Sequence, residues 1–569
     1  MGECLTSRKI ASLLVRGIAA AILPVALLAG ISSADSTTTT TTTTSSSNIP
    51  IPTPTIAGVP ALPGPIAASA TISSTIGVLA ISPLAGGPVG SNMTISGSGL
   101  PATTNVQLTW ATQNATWNVD PEPNTVNYMG RTVTNVTVNL ASVTTNASGA
   151  FSLTMKVPND FGGTHEIYAV INSVDVLEGA FITTRTLTVT PRSGPIGTPV
   201  TVTYTGMGSS LFQNSAAVLW DNHFAGELIS EWTRGTGTTV LQASGPVGKH
   251  VLMVGDALTD LYLNPLQSPY PFMNGASVIF KVTKDNGPPT PSISWPASVA
   301  PTLLEQTTLQ PGDLSATSTA VATLSNQGGP VGTPVALTVT GLSGTGTDQI
   351  AWATEGGSRV DCNSVTGLGC WIPLTSPLGT GVINNGKFTS SLTVPNSLGG
   401  WHMILVMSGT TIEAQVPYYV KESIVPFYNP SGKLLSEGVA TWDNSPSAFA
   451  VGGSGTGTYK FKEGQQFTIS IKGVGWTQLD NTLAVDYDNS YVGYGCGFNS
   501  NGYLVLHLQA TGGPGTHVID LHPMLYTSQP AFANTPFGLA PVLSSANDYP
   551  GLALGYQVPT FHFAITIVK

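Results

Sequence analysis

Gly149-Ala150-Phe151, followed five residues on by Val157-Pro158-Asn159-Asp160-Phe161-Gly162-Gly163-Thr164-His165, returns later in the chain. There it reads Gly386-Lys387-Phe388 and, at the same distance, Val394-Pro395-Asn396-Ser397-Leu398-Gly399-Gly400-Trp401-His402. Two further stretches close on the same glycine, one free position and a histidine: Gly248-Lys249-His250 and Gly515-Thr516-His517. Each histidine opens an apolar run, and each lies downstream of a Gly-rich opening into a Thr/Val-rich segment. The openings are Gly87-Pro88-Val89-Gly90, Gly194-Pro195-Ile196-Gly197, Gly329-Pro330-Val331-Gly332 and the weaker Lys462-Glu463-Gly464. Self-similarity on this scale marks an array of repeated units.

The spacings sort the four units into two kinds. Gly197 to His250 and Gly464 to His517 both span 53 residues, whereas Gly90 to His165 and Gly332 to His402 span 75 and 70. The longer units share Trp110-Ala111-Thr112 and Trp352-Ala353-Thr354. The shorter ones share Leu241-Gln242-Ala243-Ser244-Gly245 and Leu508-Gln509-Ala510-Thr511-Gly512. This is the pattern of a duplicated two-unit block, A-B-A-B. Val200-Thr201-Val202-Thr203-Tyr204, Val335 to Val339 and Phe467 to Ile471 alternate at period two, and no long segment keeps a 3.6-residue apolar period. The fold class is all-β.

The chain has 569 residues, enough for several cores, with 64 Gly and 42 Pro. Only 8% of residues are charged, so Thr, Ser, Asn and Gly must supply the polar surface, a composition suited to an acidic medium. A net charge of −10 leaves no basic face for a phosphate backbone, so no nucleic-acid partner is expected.

Arg8, Lys9 and Arg16 precede an apolar run from Gly17 to Ile31, and Ser32-Ser33-Ala34 presents small residues for cleavage before Asp35. Residues 1–34 read as a signal peptide, with an uncleaved signal-anchor as the alternative and sole route to a membrane. Thr37 to Thr44, Ser45 to Ser47 and Pro50, Pro52 and Pro54 cannot bury enough apolar area to fold, so 35–75 is expected to be a disordered Thr/Ser/Pro stalk. The units then occupy 76–191 (first, A type), 192–285 (second, B type), 319–422 (third, A type) and 423–569 (fourth, B type with an N-terminal extension). The Pro-rich stretch 286–318 links the halves, predicting two stiff pairs with a looser joint.

The openings, the strands that follow, the aromatic or Asp-Asn hairpins and the closing Gly-x-His together resemble the immunoglobulin-like repeats of prokaryotic cell-surface proteins, archaeal ones included. The resemblance covers about residues 76–569 apart from the linkers. It implies four tandem antiparallel β-sandwiches of about seven strands each, without the Cys and Trp core of antibody domains.

His165, His250, His402 and His517 sit at equivalent places in separate units and read as a structural repeat, as do Trp110, Trp220, Trp352 and Tyr487 at the end of one strand. Carboxylates around Asp480, Asp486 and Asp488 form an incomplete Ca²⁺ candidate, although Asp-Asn is also what a tight hairpin turn favours. No cofactor is expected. Nucleophile elbows, metalloprotease helices and phosphate loops are missing, so the chain does not read as an enzyme. Cys362 and Cys370 flank a short loop and are expected to form a disulfide in an exported protein; Cys496 is left as a buried thiol or an intermolecular link. Asn92, Asn114, Asn135 and Asn146 are the N-glycosylation acceptors, all in the first unit. Trp117, Trp371, Tyr270 and Phe272 have no counterpart in other units and are the aromatic binding candidates. The reading is a secreted or cell-surface structural protein, a surface-layer, filament or adhesin-like component, whose partners are other surface proteins or itself. The alternative is a carbohydrate-binding or carbohydrate-processing protein with its site in one unit's loops, acting on cell-surface carbohydrate.

Overall fold

Alternation builds the strands of the small sheets, whereas central strands of the large ones, such as Ser215–Trp220 and Gly400–Ser408, are buried along most of their length. Along Pro199–Thr205 the side chains of Val200, Val202 and Tyr204 are buried while Thr201 faces out, and Pro334–Thr340 and Gln466–Lys472 repeat the pattern. On the wet face, facing threonines pair with each other: the hydroxyls of Thr94 and Thr154 lie 2.8 Å apart, those of Thr338 and Thr389 3.3 Å. On these outer faces, hydroxyl pairs across strands stand where a more highly charged chain would place ion pairs.

A computed structural model describes residues 71–569 apart from 123–124, 211–212, 258–260, 262, 265, 267–274, 297–317, 359–369, 426–459, 476–480, 498–499 and 526–539. The stretch read as a signal peptide, the Thr tract and most of the stretch read as a linker lie outside the described residues. Among the described residues there is no α-helix, and no helix is long and apolar enough to cross a membrane.

The strands form eight sheets, four of three strands and four of five to seven. Each small sheet shares a hydrophobic core with a larger one. In the first pair Ala80–Ser82, Asn92–Gly97 and Phe151–Lys156 cover the six-stranded sheet that holds Asn105–Glu122 and Gly163–Ile171. In the second, Thr186–Thr190, Pro199–Thr205 and Gly237–Gln242 cover the sheet of Ser215–Trp220 and Gly248–Asp256. The third and fourth pairs are built the same way around Trp352 and around Phe467, Ile469 and Ile471.

The recurring openings mark where the chain changes sheets. Thr186–Thr190 runs antiparallel in a small sheet, and Ser193–Gly194 then runs parallel to the last strand of the larger one; Gly87–Pro88, Gly328–Pro330 and Lys460–Lys462 do the same. Gly90, Gly197, Gly332 and Gly464 end these crossings at φ 78°, 80°, 85° and 78°, a left-handed conformation that favours glycine. Their N–H groups bond the carbonyls of Val157, Ala243, Val394 and Ala510 at 2.7–2.9 Å.

The expected looseness between the halves is not what the structure shows. The described residues from 71 on pack as one compact unit. Trp117 of the first pair, Ile229 of the second, Trp401 of the third and Phe561 of the fourth belong to one continuous core. The second and fourth pairs meet along Glu227–Val542, where Leu543 N donates to Glu227 O at 2.8 Å. Within the stretch read as a linker, Ser292–Ser294 pairs with Thr560–Val568 and so belongs to the fourth pair's large sheet.

One contact is repeated in both halves. Gly162 N donates to Met207 O at 2.7 Å, joining the first pair to the second, and Gly399 N donates to Val474 O at 2.8 Å, joining the third to the fourth. A Cβ on Gly162 or Gly399 would fall inside the carbonyl oxygen of Gly206 or Gly473, so both junctions need glycine. Gly162→Ala and Gly399→Ala should each destabilise by about 2–4 kcal/mol through overpacking and the lost bond. Denaturant midpoints check this; a loss below ~0.5 kcal/mol, the size of a neutral surface change, would show that the junction is not made.

Candidate functional site

The Gly-x-His signature builds a post. Each histidine lies at the start of a central strand and its Nε2 meets the carbonyl four residues back: His165 with Phe161 O at 2.8 Å, His250 with Pro246 O at 2.7 Å, His402 with Leu398 O at 2.8 Å and His517 with Gly513 O at 2.9 Å. A carbonyl only accepts, so the ring N–H donates. Each ring also stacks on the recurrent aromatic of the neighbouring strand. The centroid distances are 4.2 Å for Trp110, 5.8 Å for Trp220, 4.8 Å for Trp352 and 5.6 Å for Tyr487.

The two kinds of unit differ in what holds the post. In the A-type pairs, residues of the signature loop cap the indole: Trp110 Nε1 donates to Asp160 Oδ2 at 2.7 Å and Trp352 Nε1 to Ser397 Oγ at 3.2 Å. In the B-type pairs an Asp at a hairpin turn faces the histidine. Asp221 Oδ2 lies 2.5 Å from His250 Nδ1, and Asp488 Oδ2 lies 2.6 Å from His517 Nδ1. Burial pulls His517 down, but its bond to Asp488 outweighs this and raises it. Burial pushes His402, which has no carboxylate, down to about 4. Asp221-Asn222 and Asp488-Asn489 all have φ between 50° and 67°, the conformation of a two-residue hairpin turn.

The other sequence candidates separate. Asp480 lies outside the described residues, and Asp486 and Asp488 face different partners. Among the described residues no group of three or more His, Cys, Asp or Glu side chains is arranged to hold a metal. Asp486 instead begins a buried row across three strands, opposite Asp520, which in turn faces His562 at 2.8 Å. Gln242 of the second pair donates to Asp520 Oδ1 at 2.7 Å. Burial first, and Asp520 second, raise Asp486 well above the usual carboxylate range; burial pushes His522 beside it down to about 4. Cys362, Tyr270 and Phe272 lie outside the described residues. Cys370 and Trp371 stand opposite Ser358 and Gly357 on adjoining strands. Cys496 is a thiol whose Sγ meets Asn481 Oδ1 at 3.5 Å.

Trp117 is not an exposed platform: it is buried and donates from Nε1 to Asp548 Oδ1 at 2.7 Å. Nor are the four acceptor asparagines alike. Asn92, Asn135 and Asn146 are exposed, whereas Asn114 is half-buried and its Oδ1 accepts from Arg234 Nη1 at 2.6 Å.

Sequence reading missed the buried acids at the joints between sheet pairs. Glu355, 1% exposed, lies on the face of its strand that also carries Ala351 and Ala353, the face packed into the core shared with the fourth pair. Among the described residues neither of its oxygens has a hydrogen-bond partner, and burial pushes it up to about 8. Burial raises Asp256 to about 6 against the pull of Arg185. A raised carboxyl binds its proton more tightly folded than unfolded, so stability falls as pH rises from its unfolded to its folded value. The lowered histidines His402 and His522 oppose this between about 4 and 6.5, but they are fewer. Thermal stability should therefore be higher at pH 5 than at pH 8. Glu355→Gln should raise stability at pH 8 by about 2–4 kcal/mol and leave it unchanged at pH 4. Calorimetric Tm at the two pH values checks both; an equal effect of the substitution at each would contradict the assignment.

No protein-family model matches the chain, and no curated protein does. Among solved structures it is similar to native E. coli alpha-2-macroglobulin, at 9% identity and a TM-score of 0.14, over 76% of this chain and 29% of that one. It is similar to the D1–D4 ectodomain fragment of ICAM-5 at 11% identity and a TM-score of 0.14, over 86% and 99% of the two chains. A membrane anchored protein from Corynebacterium diphtheriae is similar at 10% identity and a TM-score of 0.15, over 82% and 89%. The chain spans 29% of the length of the first of these. At such TM-scores the likenesses carry no argument about function.

Proposed function

We propose that the protein is a secreted or cell-surface structural and interaction protein of four immunoglobulin-like β-sandwich modules, A-B-A-B, behind an N-terminal signal and a Thr/Ser/Pro stalk. One observation carries the reading: the repeated polar signature is spent on construction. All four histidines are tied to carbonyls and stacked on aromatics. The glycine junctions at Met207 and Val474 recur in both halves, which supports duplication of a two-module block. What such a body offers a partner is surface: strand edges and loops that hold a fixed geometry. Its partners are other surface proteins or further copies of itself. The carbohydrate-binding alternative loses Trp117 and retains only Trp371, Tyr270 and Phe272. Electron microscopy of the purified protein at acidic pH should show ordered assemblies. A monodisperse monomer at high concentration that binds glycans on an array would favour the alternative.

The same reading places a disulfide at Cys362 and Cys370 and glycans on the first module, at three acceptors rather than four. Asn146 is exposed, and the bonds from Ser148 N at 3.0 Å and Ser148 Oγ at 2.7 Å use its oxygen rather than the Nδ2 that would carry the sugar. Asn114 differs in access: it alone of the four is half-buried, held at the contact with Arg234 of the second pair. Expressed in a host with N-glycosylation machinery, the protein should carry sugar at Asn92, Asn135 and Asn146 and none at Asn114. Glycopeptide mapping decides it; an occupied Asn114, or sugar-free peptides at the other three, would refute the assignment.

A further inference from the structure

The joint where the first, second and fourth sheet pairs meet holds more acid than base. From the first pair come Trp117 and Arg131, opposite each other on the two arms of the long hairpin Asn105–Glu122 and Thr125–Thr144. The second pair supplies Asn214, Glu231 and Thr233, and the fourth supplies Asp548. Glu231 and Asp548 are both fully buried. Arg131 Nη1 and Asn214 Nδ2 both donate to Glu231 Oε1, while Glu231 Oε2 has no partner. Asp548 accepts from Trp117 Nε1 at 2.7 Å, from Thr233 N at 3.2 Å and from Thr233 Oγ1 at 3.0 Å.

The remaining charged groups near the joint are committed elsewhere. Arg234, three residues beyond Glu231, is held by Asp160 at 2.9 Å and by Asn114 at 2.6 Å. Tyr549, next to Asp548, donates from its hydroxyl to Met524 O at 3.0 Å. Among the described residues, two fully buried carboxyls thus share the joint with one guanidinium, that of Arg131, which is bonded to Glu231. Two buried carboxylates cannot both ionise against a single cation without a large desolvation cost.

We propose that this joint is a proton-dependent clasp: with one of the two carboxyls, Glu231 and Asp548, protonated, the hairpin is fastened across the second and fourth sheet pairs, and loss of that proton loosens it. The proton rests on Glu231, because Asp548 has three donors to satisfy a charge and Glu231 Oε2 has none. The electrostatics agree in direction. Burial raises Glu231 to about 8 against the pull of Arg131 and with the added push of Asp548; burial raises Asp548 to about 6 against its donors. Both carboxyls bind protons more tightly in the closed joint than in the open one. Closure is therefore favoured in acid and weakens as pH rises through the folded values. This inference does not depend on the proposed surface role.

The test is hydrogen exchange of the full chain, read by mass spectrometry between pH 5 and pH 9 with exchange times rescaled for the intrinsic rate. Peptides spanning residues 112–119 and 229–236 report the clasp, and those spanning 199–205 serve as a reference in the second core. Clasp protection should fall at least tenfold from pH 5 to pH 9 relative to the reference, and Glu231→Gln should keep it protected at both. Protection that does not depend on pH in the wild type would overturn the proposal, as would a Glu231→Gln protein that loses protection as the wild type does. If Glu231→Gln fails to fold, Asp548→Asn is read in the same way.

Discussion

The bond from each histidine ring back to the carbonyl four residues earlier is the interaction on which the architecture rests. It closes the turn entering a central strand, and the stacked aromatic fixes the ring against the neighbouring strand. In the A-type pairs that turn also carries the docking glycine. Phe161 O receives His165 while Gly162 N reaches Met207; Leu398 O receives His402 while Gly399 N reaches Val474. A residue that shapes one sandwich thereby sets the angle at which the next one sits. An isolated surface hydrogen bond contributes only about 0.5–1.5 kcal/mol, but here two bonds and a ring stack share one rigid turn, and the contact between pairs inherits that rigidity.

The elements of the fold were legible because they are local. Alternating Val and Thr predict strands, glycine at a crossing predicts positive φ, and Asp-Asn predicts the hairpin turn of Asp221 and Asp488. Recurrence placed Trp110, Trp220, Trp352 and Tyr487 at one strand position, and the structure adds that a histidine lies over each. What could not be read was the contact between distant pairs. Trp117 stood out as an unmatched aromatic and was expected on a surface. Its partner Asp548 lies 431 positions away, and no periodicity connects them. The expectation of a loose joint after Asn286 failed for a related reason: a Pro-rich composition suggests a spacer, yet Ser292–Ser294 needs only three residues to add an edge strand to a distant sheet. Glu231, Glu355 and Asp520 gave no sequence signal, since a lone acid in a strand or turn ordinarily faces solvent.

Those acids explain the composition better than surface chemistry alone. The chain spends few charges, with 29 acidic residues against 19 basic, and places several of the acidic ones where pairs of sheets meet. Arg131 serves Glu231, Arg185 serves Asp256 and Arg234 serves Asp160, while among the described residues Glu355 and Asp486 have no Arg or Lys partner, Asp486 lying 3.7 Å from the ring of His522. Replacing such a carboxyl by an apolar residue is often neutral or stabilising, so hydrophobic packing by itself gives no reason for the acids to be there. What a buried acid adds is a dependence on pH: neutral, it behaves as a polar filler that tolerates burial; ionised, it opposes the contact around it. Hydroxyl-paired outer faces change little with pH, so the sensitivity is concentrated inside the joints. A molecule built this way keeps its surface constant and lets the medium act on how firmly its parts are held together.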